Sequence, residues 1–134
     1  SLSRALTYRS LAQLVERGYA SEVGEEPGLA GGNRTILAAT RTGRAQVRKW
    51  LNAPVSHLRD LRSELLLKII IADICGIDIR PMLLLQRDHL EHMAAVLTAS
   101  ANGAVTDDVV ALWRAEASSA ALRFLDRLLV AAVD

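Results

Sequence analysis

With 134 residues, 51% of them hydrophobic and 23% charged, the chain holds enough apolar surface for one domain or two small modules, which excludes a disordered chain. Net charge is only +1, but residues 1–58 carry +4 and residues 59–134 carry −3, the pattern of a polyanion-binding module joined to one with another partner. One cysteine excludes an intrachain disulfide framework, and no apolar run reaches the roughly 20 residues of a membrane helix, since Lys68 and Asp73 interrupt the best of them.

Residues 4–17 read as an amphipathic helix. Tyr8, Leu11, Ala12 and Val15 fall on one side with Leu14 at its border, and Ser3, Thr7, Arg9, Ser10, Gln13 and Arg17 on the other. Ser3 is the expected N-cap and Gly18 the stop. Two short extended segments follow, Tyr19 to Val23 and Arg34 to Ala38, around a loop rich in glycine. Together they predict a β-hairpin. Thr40 then caps a helix from Arg41 to Asn52, with Val47, Trp50 and Leu51 on its buried side, and Pro54 ends it. Pro54 to His57 reads as a hinge between two modules, residues 1–53 and 58–134.

The second module reads as three helices. Residues 59–75 are apolar almost all round, which predicts burial on several sides, with Glu64 and Lys68 as an exposed helical pair and Cys75 as a small buried hydrophobe. From about 81 to 99, Leu83, Gln86, Leu90, Met93 and Leu97 form a coiled-coil-like seam. A loop is expected at Asn102 and Gly103, with Thr106 capping a last helix whose stripe is Val109, Trp113, Ala117, Ala120, Phe124, Leu128 and Ala132. The surplus apolar surface predicts a partner, and a second copy of the chain is the commonest kind.

Catalytic patterns are absent. The stretch "GLAGGN" lacks the lysine and the strand–helix setting of a phosphate loop, and no nucleophile–base arrangement stands out, so neither an enzyme nor a cofactor is expected. His89 and His92, flanked by Asp88 and Glu91, lack a distant third ligand and read as a solvated face rather than a metal site.

One combination of motifs is more specific. Tyr8, Leu11, Leu14 and Gly18 in "SLSRALTYRSLAQLVERGYASE" are followed by Arg34, Thr40, Gly43, Trp50 and Leu51 in "NRTILAATRTGRAQVRKWL", and then by "LRSELLLKIIIA". This order resembles the PadR family of transcriptional regulators over essentially the whole chain. The family usually has a tyrosine three residues after the wing arginine, where this chain has Leu37. It also carries two helices ahead of its recognition helix, so the resemblance implies a chain that starts at that helix.

The implied fold is mainly α: a partial winged helix-turn-helix (helix, β-hairpin wing, helix) followed by a three-helix dimerisation segment. The implied function is that of a dimeric, ligand-responsive repressor in the cytoplasm, with no membrane partner. Its helix 3–17 and wing would read double-stranded operator DNA. Ser3, Arg4 and Thr7 would then lie nearest the bases, with Tyr8, Arg9 and Arg34 on the phosphates and the Tyr8 ring packed on the core. Family effectors are small aromatic or cationic molecules stacked on tryptophan, which makes Trp113 the effector-binding candidate, and the acidic second half would suit a cation. The alternative is a dimerisation or protein-interaction module that keeps a winged-helix remnant and does not bind DNA.

Overall fold

The computed structural model describes residues 2–103 and 108–131. The chain is mainly α, with one two-stranded antiparallel hairpin between helices. It divides into two compact units, residues 1–50 and 51–134.

The first unit opens with α1 (Leu2–Glu16), a stretch free of glycine and proline. Gly18 ends it at φ 76°: its amide donates to the Val15 carbonyl at 3.0 Å, and the Tyr19 amide donates to the Leu14 carbonyl at 2.9 Å. These two bonds satisfy carbonyls that a helix end leaves open, and the left-handed residue between them favours glycine. Ser3 is not the N-cap. It lies inside α1, where its carbonyl accepts the Thr7 hydroxyl at 2.9 Å. The apolar side of α1 is also less covered than its periodicity predicts. Val15 is half-buried, whereas Leu11 and Leu14 are exposed and Tyr8 is 66% exposed, so its ring does not pack into a core.

Strands β1 (Ala20–Pro27) and β2 (Asn33–Ala39) pair from Ala20↔Ala39 to Pro27↔Asn33. The first strand runs four residues past the expected Val23. A register shift between Glu22 and Gly24 lets Val23 bulge out, after which pairing resumes up to Pro27. Such a bulge adds one unpaired residue and twists the strand. The hairpin closes through the Gly28 amide, which donates to the Gly32 carbonyl at 2.6 Å, with Gly31 at φ 89°.

Helix α2 (Arg41–Asn52) matches the expected bounds, and the unit boundary falls within it. Leu51 is fully buried and Trp50 half-buried, while Val47 is exposed.

The second unit begins with the end of α2 and an irregular linker, residues 53–57. The expected helix 59–75 is in fact a 3₁₀ turn (Leu58–Asp60), a π turn (Leu61–Leu65) and α3 (Leu66–Cys75). Only one stripe of this run is buried: Leu61, Leu65, Lys68 and Ala72. Leu66, Leu67, Ile70 and Ile74 are exposed, Ile74 to 77%, so burial on several sides is not observed within this chain. Cys75 is exposed as well. Gly76, at φ 65°, ends α3 with the same pair of bonds as Gly18: its amide to Asp73 and the Ile77 amide to Ala72.

Helix α4 (Arg80–Gly103) starts where the Asp78 carboxylate accepts the Arg80 amide at 2.9 Å, and it runs through Asn102 and Gly103, where a loop was expected. Leu83, Gln86 and Leu90 of the expected seam are buried, and Met93 and Leu97 half-buried. Helix α5 (Val109–Ala131) is capped by Asp108, whose carboxylate accepts the Ala111 amide at 3.0 Å. The expected cap, Thr106, and Ala132 of the expected stripe lie outside the described residues.

Helices α4 and α5 pack antiparallel. The Arg80 guanidinium donates to the Leu129 carbonyl at 3.1 Å, and Arg87 pairs with Asp126 at 2.5 Å and with Glu91 at 3.2 Å. The hydrogen bond and charge of Asp126 hold the Arg87 guanidinium above its ordinary pKa. The face of α5 that packs is Ala115, Ser118, Leu125 and Leu129, not the expected stripe, whose Val109, Trp113, Ala120 and Phe124 are exposed. Both stripes are apolar. The small Ala115 and Ser118 permit a closer approach of the helix backbones than Trp113 and Phe124 would.

Candidate nucleic-acid interface and helical cleft

In the first unit, α1 presents Ser3, Arg4, Thr7, Tyr8 and Arg9 on exposed positions, and it carries no carboxylate before Glu16. Its orientation relative to the hairpin and α2 is fixed at one turn, Gly18–Tyr19. The Thr40 hydroxyl donates to the Gly18 carbonyl at 2.6 Å and accepts the Gly43 amide at 3.0 Å. The Thr40 amide donates to the Tyr19 carbonyl at 3.0 Å. Thr40 therefore caps α2 and ties it to the end of α1 with one side chain. Gly43 is required by the same contact, because a Cβ there would lie 2.0 Å from the Tyr19 carbonyl oxygen.

Arg34, at the start of β2, is not positioned as a free cation. It pairs across the hairpin with Glu26 at 2.6 Å, and both side chains are more than half exposed. An exposed pair of this kind contributes about 0–1 kcal/mol, so a phosphate could displace the carboxylate at small cost. Glu22, Glu25 and Glu26 make the hairpin the acidic part of this unit, and its remaining cations lie on the helices. Arg41, Arg44, Arg48 and Lys49 of α2 are exposed. The sequence reading did not select them, although their density in "TRTGRAQVRK" was the available signal.

In the second unit, Trp113 is 71% exposed and lines an open cleft of about 840 Å³. One wall is the segment from His57 to Leu66, with Arg59 and Arg62. The other is α5, with Trp113, Arg114 and Phe124. No carboxylate lines it. Periodicity gave Trp113, but the cationic wall comes from a segment some fifty residues away, and nothing in the local pattern joins the two. His89 and His92 are exposed and line a neighbouring cleft of about 640 Å³ with Asp88, His57 and Arg114. Among the described residues, no three His, Cys, Asp or Glu side chains lie close enough to hold a metal ion.

The linker that precedes the cleft is clamped by two buried polar side chains. Gln86, 1% exposed, accepts the Val55 amide at 2.6 Å and donates to the Val55 carbonyl at 3.0 Å. Lys68, also 1% exposed, donates to the Ala53 carbonyl and has Glu64 3.8 Å away. The expected exposed Glu64–Lys68 pair is thus half-buried on the glutamate side and fully buried on the lysine side. Burial pushes the Lys68 ammonium below its ordinary pKa, and the Glu64 charge and hydrogen bond partly offset this.

The chain matches no model of a known protein family, and no curated protein matches it. Among the described residues no helix is long and apolar enough to cross a membrane.

Proposed function

We propose that the chain is the main part of a PadR-type regulator: a dimeric, ligand-responsive repressor that reads operator DNA with α1 and the β1–β2 wing. The observation that carries this reading is α1 itself, a helix with Arg4, Thr7, Tyr8 and Arg9 in the open, a hairpin behind it and a capped helix after the hairpin. In a winged helix the corresponding helix enters the major groove by its N-terminal end. Arg4 would contact base edges there, and Ser3 and Thr7 bases or phosphate, with Tyr8, Arg9 and Arg34 on phosphate. The uncovered side of α1, with Leu11 and Leu14, is the side that the reading assigns to helices ahead of the recognition helix. The exposed Leu66, Leu67, Ile70 and Ile74 of α3 are the surface assigned to a second copy. A ligand against Trp113 would bias the spacing of the two reading helices and so change operator affinity.

Fluorescence anisotropy with mixed-sequence duplex DNA at a series of salt concentrations tests the reading. Affinity falls by about 0.9 log units per log unit of salt for each phosphate contacted. Replacing Arg9 with alanine lowers that slope by about one contact. Binding that is absent at low salt, or indifferent to Arg4→Ala and Arg9→Ala, removes DNA reading from the proposal. A second reading, an interaction module that does not bind DNA, is supported by the acidic hairpin and by the Arg34–Glu26 pair, and that outcome would leave it standing.

A further inference from the structure

We infer that the cleft between the His57–Leu66 segment and α5 is a binding site for a small amphiphilic anion, a flat aromatic body carrying a carboxylate or similar oxyanion. The inference rests on the reading of Trp113 as an effector contact and assigns the chemistry of what it contacts. A cleft of about 840 Å³ is of the size that takes small organic ligands. Its floor and walls are apolar, with Trp113 and Phe124 on α5 and leucines 58, 61, 65 and 66 opposite. Two aromatic rings on one wall suit a flat ring system.

Charge decides the class. Arg59, Arg62 and Arg114 line the cleft, His57 adds an imidazole, and no Asp or Glu does. Among the described residues, neither Arg62 nor Arg114 forms an ion pair, and Arg59 reaches only Asp60, at 3.9 Å. A guanidinium presents a fork of donors that matches an oxyanion, and one beside an apolar surface is less screened than one in open water. The net charge of −3 over residues 59–134 favours a cation when averaged, but the local lining has the opposite sign. A cationic aromatic would stack on Trp113 against three guanidiniums. An anionic one is met by them.

Two probes with one ring system separate these cases: 2-naphthoate and 2-naphthylmethylammonium, titrated calorimetrically into the full chain. Naphthoate binds at least about tenfold more tightly than the ammonium, and Arg62→Gln and Arg114→Gln each weaken it about tenfold, the size of one charge-assisted hydrogen bond. Both arginines are exposed, so the variants keep the far-ultraviolet circular dichroism of the parent. Trp113→Ala weakens both probes. If the ammonium binds as well as naphthoate and still depends on Trp113, the effector cleft stands and the anionic assignment is overturned. If neither probe binds, or Trp113→Ala changes nothing, the effector reading fails together with it.

Discussion

Gln86→Leu isolates the contribution of the linker clamp. The substitution keeps most of the side-chain volume in a site that is 1% exposed, and it removes both bonds to Val55, at 2.6 and 3.0 Å. Val55 is itself buried, so its amide and carbonyl lose their partners without gaining water. Each buried backbone group left unpaired costs about 1–3 kcal/mol. Burying a leucine where the amide stood returns about 1 kcal/mol. The net loss is about 2–4 kcal/mol. Urea unfolding followed by circular dichroism at the helical minimum reads this loss, because most of the helix is in the second unit. With a slope of about 1–3 kcal/mol per molar urea, the midpoint falls by roughly 1–2 M. The Val55 amide also exchanges its hydrogen faster, while amides in the middle of α4 slow or hold relative to global unfolding. A loss below about 0.5 kcal/mol with unchanged Val55 exchange would refute the clamp as a stabilising device.

Lys68 adds a pH dependence of known sign. Its pKa is lowered in the folded chain, so between that value and the ordinary 10.5 the unfolded chain binds the extra proton, and stability rises with pH across the window. Lys68→Met removes that rise; urea midpoints of the two proteins that run parallel from neutral pH to 10.5 would contradict it. Gly43→Ala places a Cβ 2.0 Å from the Tyr19 carbonyl oxygen and destabilises the α1–α2 junction by about 1–3 kcal/mol, visible as a loss of protection at the Thr40 and Gly43 amides; retained protection means that the close approach is not needed. Ile70→Asp puts a charge on the open face of α3 and raises the dimer dissociation constant by about thirtyfold or more in light-scattering measurements, whereas an unchanged oligomeric state takes that face out of the interface.

Local rules made some of this legible. Thr40 and Pro54 bracket α2, and the observed helix keeps those bounds because one hydroxyl caps its first turn and the chain leaves helical geometry just before proline. The Leu83–Gln86–Leu90 seam of α4 is buried as its spacing implies. Long-range choices were not legible. Helix α5 carries two apolar stripes, and which of them packs depends on how closely α4 approaches. Lys68 reads as a surface residue four after a glutamate, and only the path of the linker brings the Ala53 carbonyl over it. For the candidate sites, the sequence placed Arg4, Thr7, Tyr8 and Arg9 on one helix, but the Arg34–Glu26 pair needed the hairpin register, and the cleft needed two distant segments brought together.

The first unit cannot be held by a core of its own. Among residues 3–50 only Gly43 is buried, so hydrophobic burial contributes little to the placement of α1 against the hairpin and α2. What remains is a polar junction. The Tyr19 amide closes α1, its carbonyl accepts the Thr40 amide, and the Thr40 hydroxyl reaches the Gly18 carbonyl while capping α2. Hydrogen bonds of this kind contribute about 0.5–1.5 kcal/mol each when solvent competes. A handful of them can set direction, but they cannot resist load as a packed core does. The exposed Leu11 and Leu14 of α1 therefore matter as much to DNA reading as Arg4 and Arg9. Whatever covers them supplies the stiffness with which the arginines are presented, and conserving the arginines while leaving that side uncovered would leave a helix that points correctly but is held weakly.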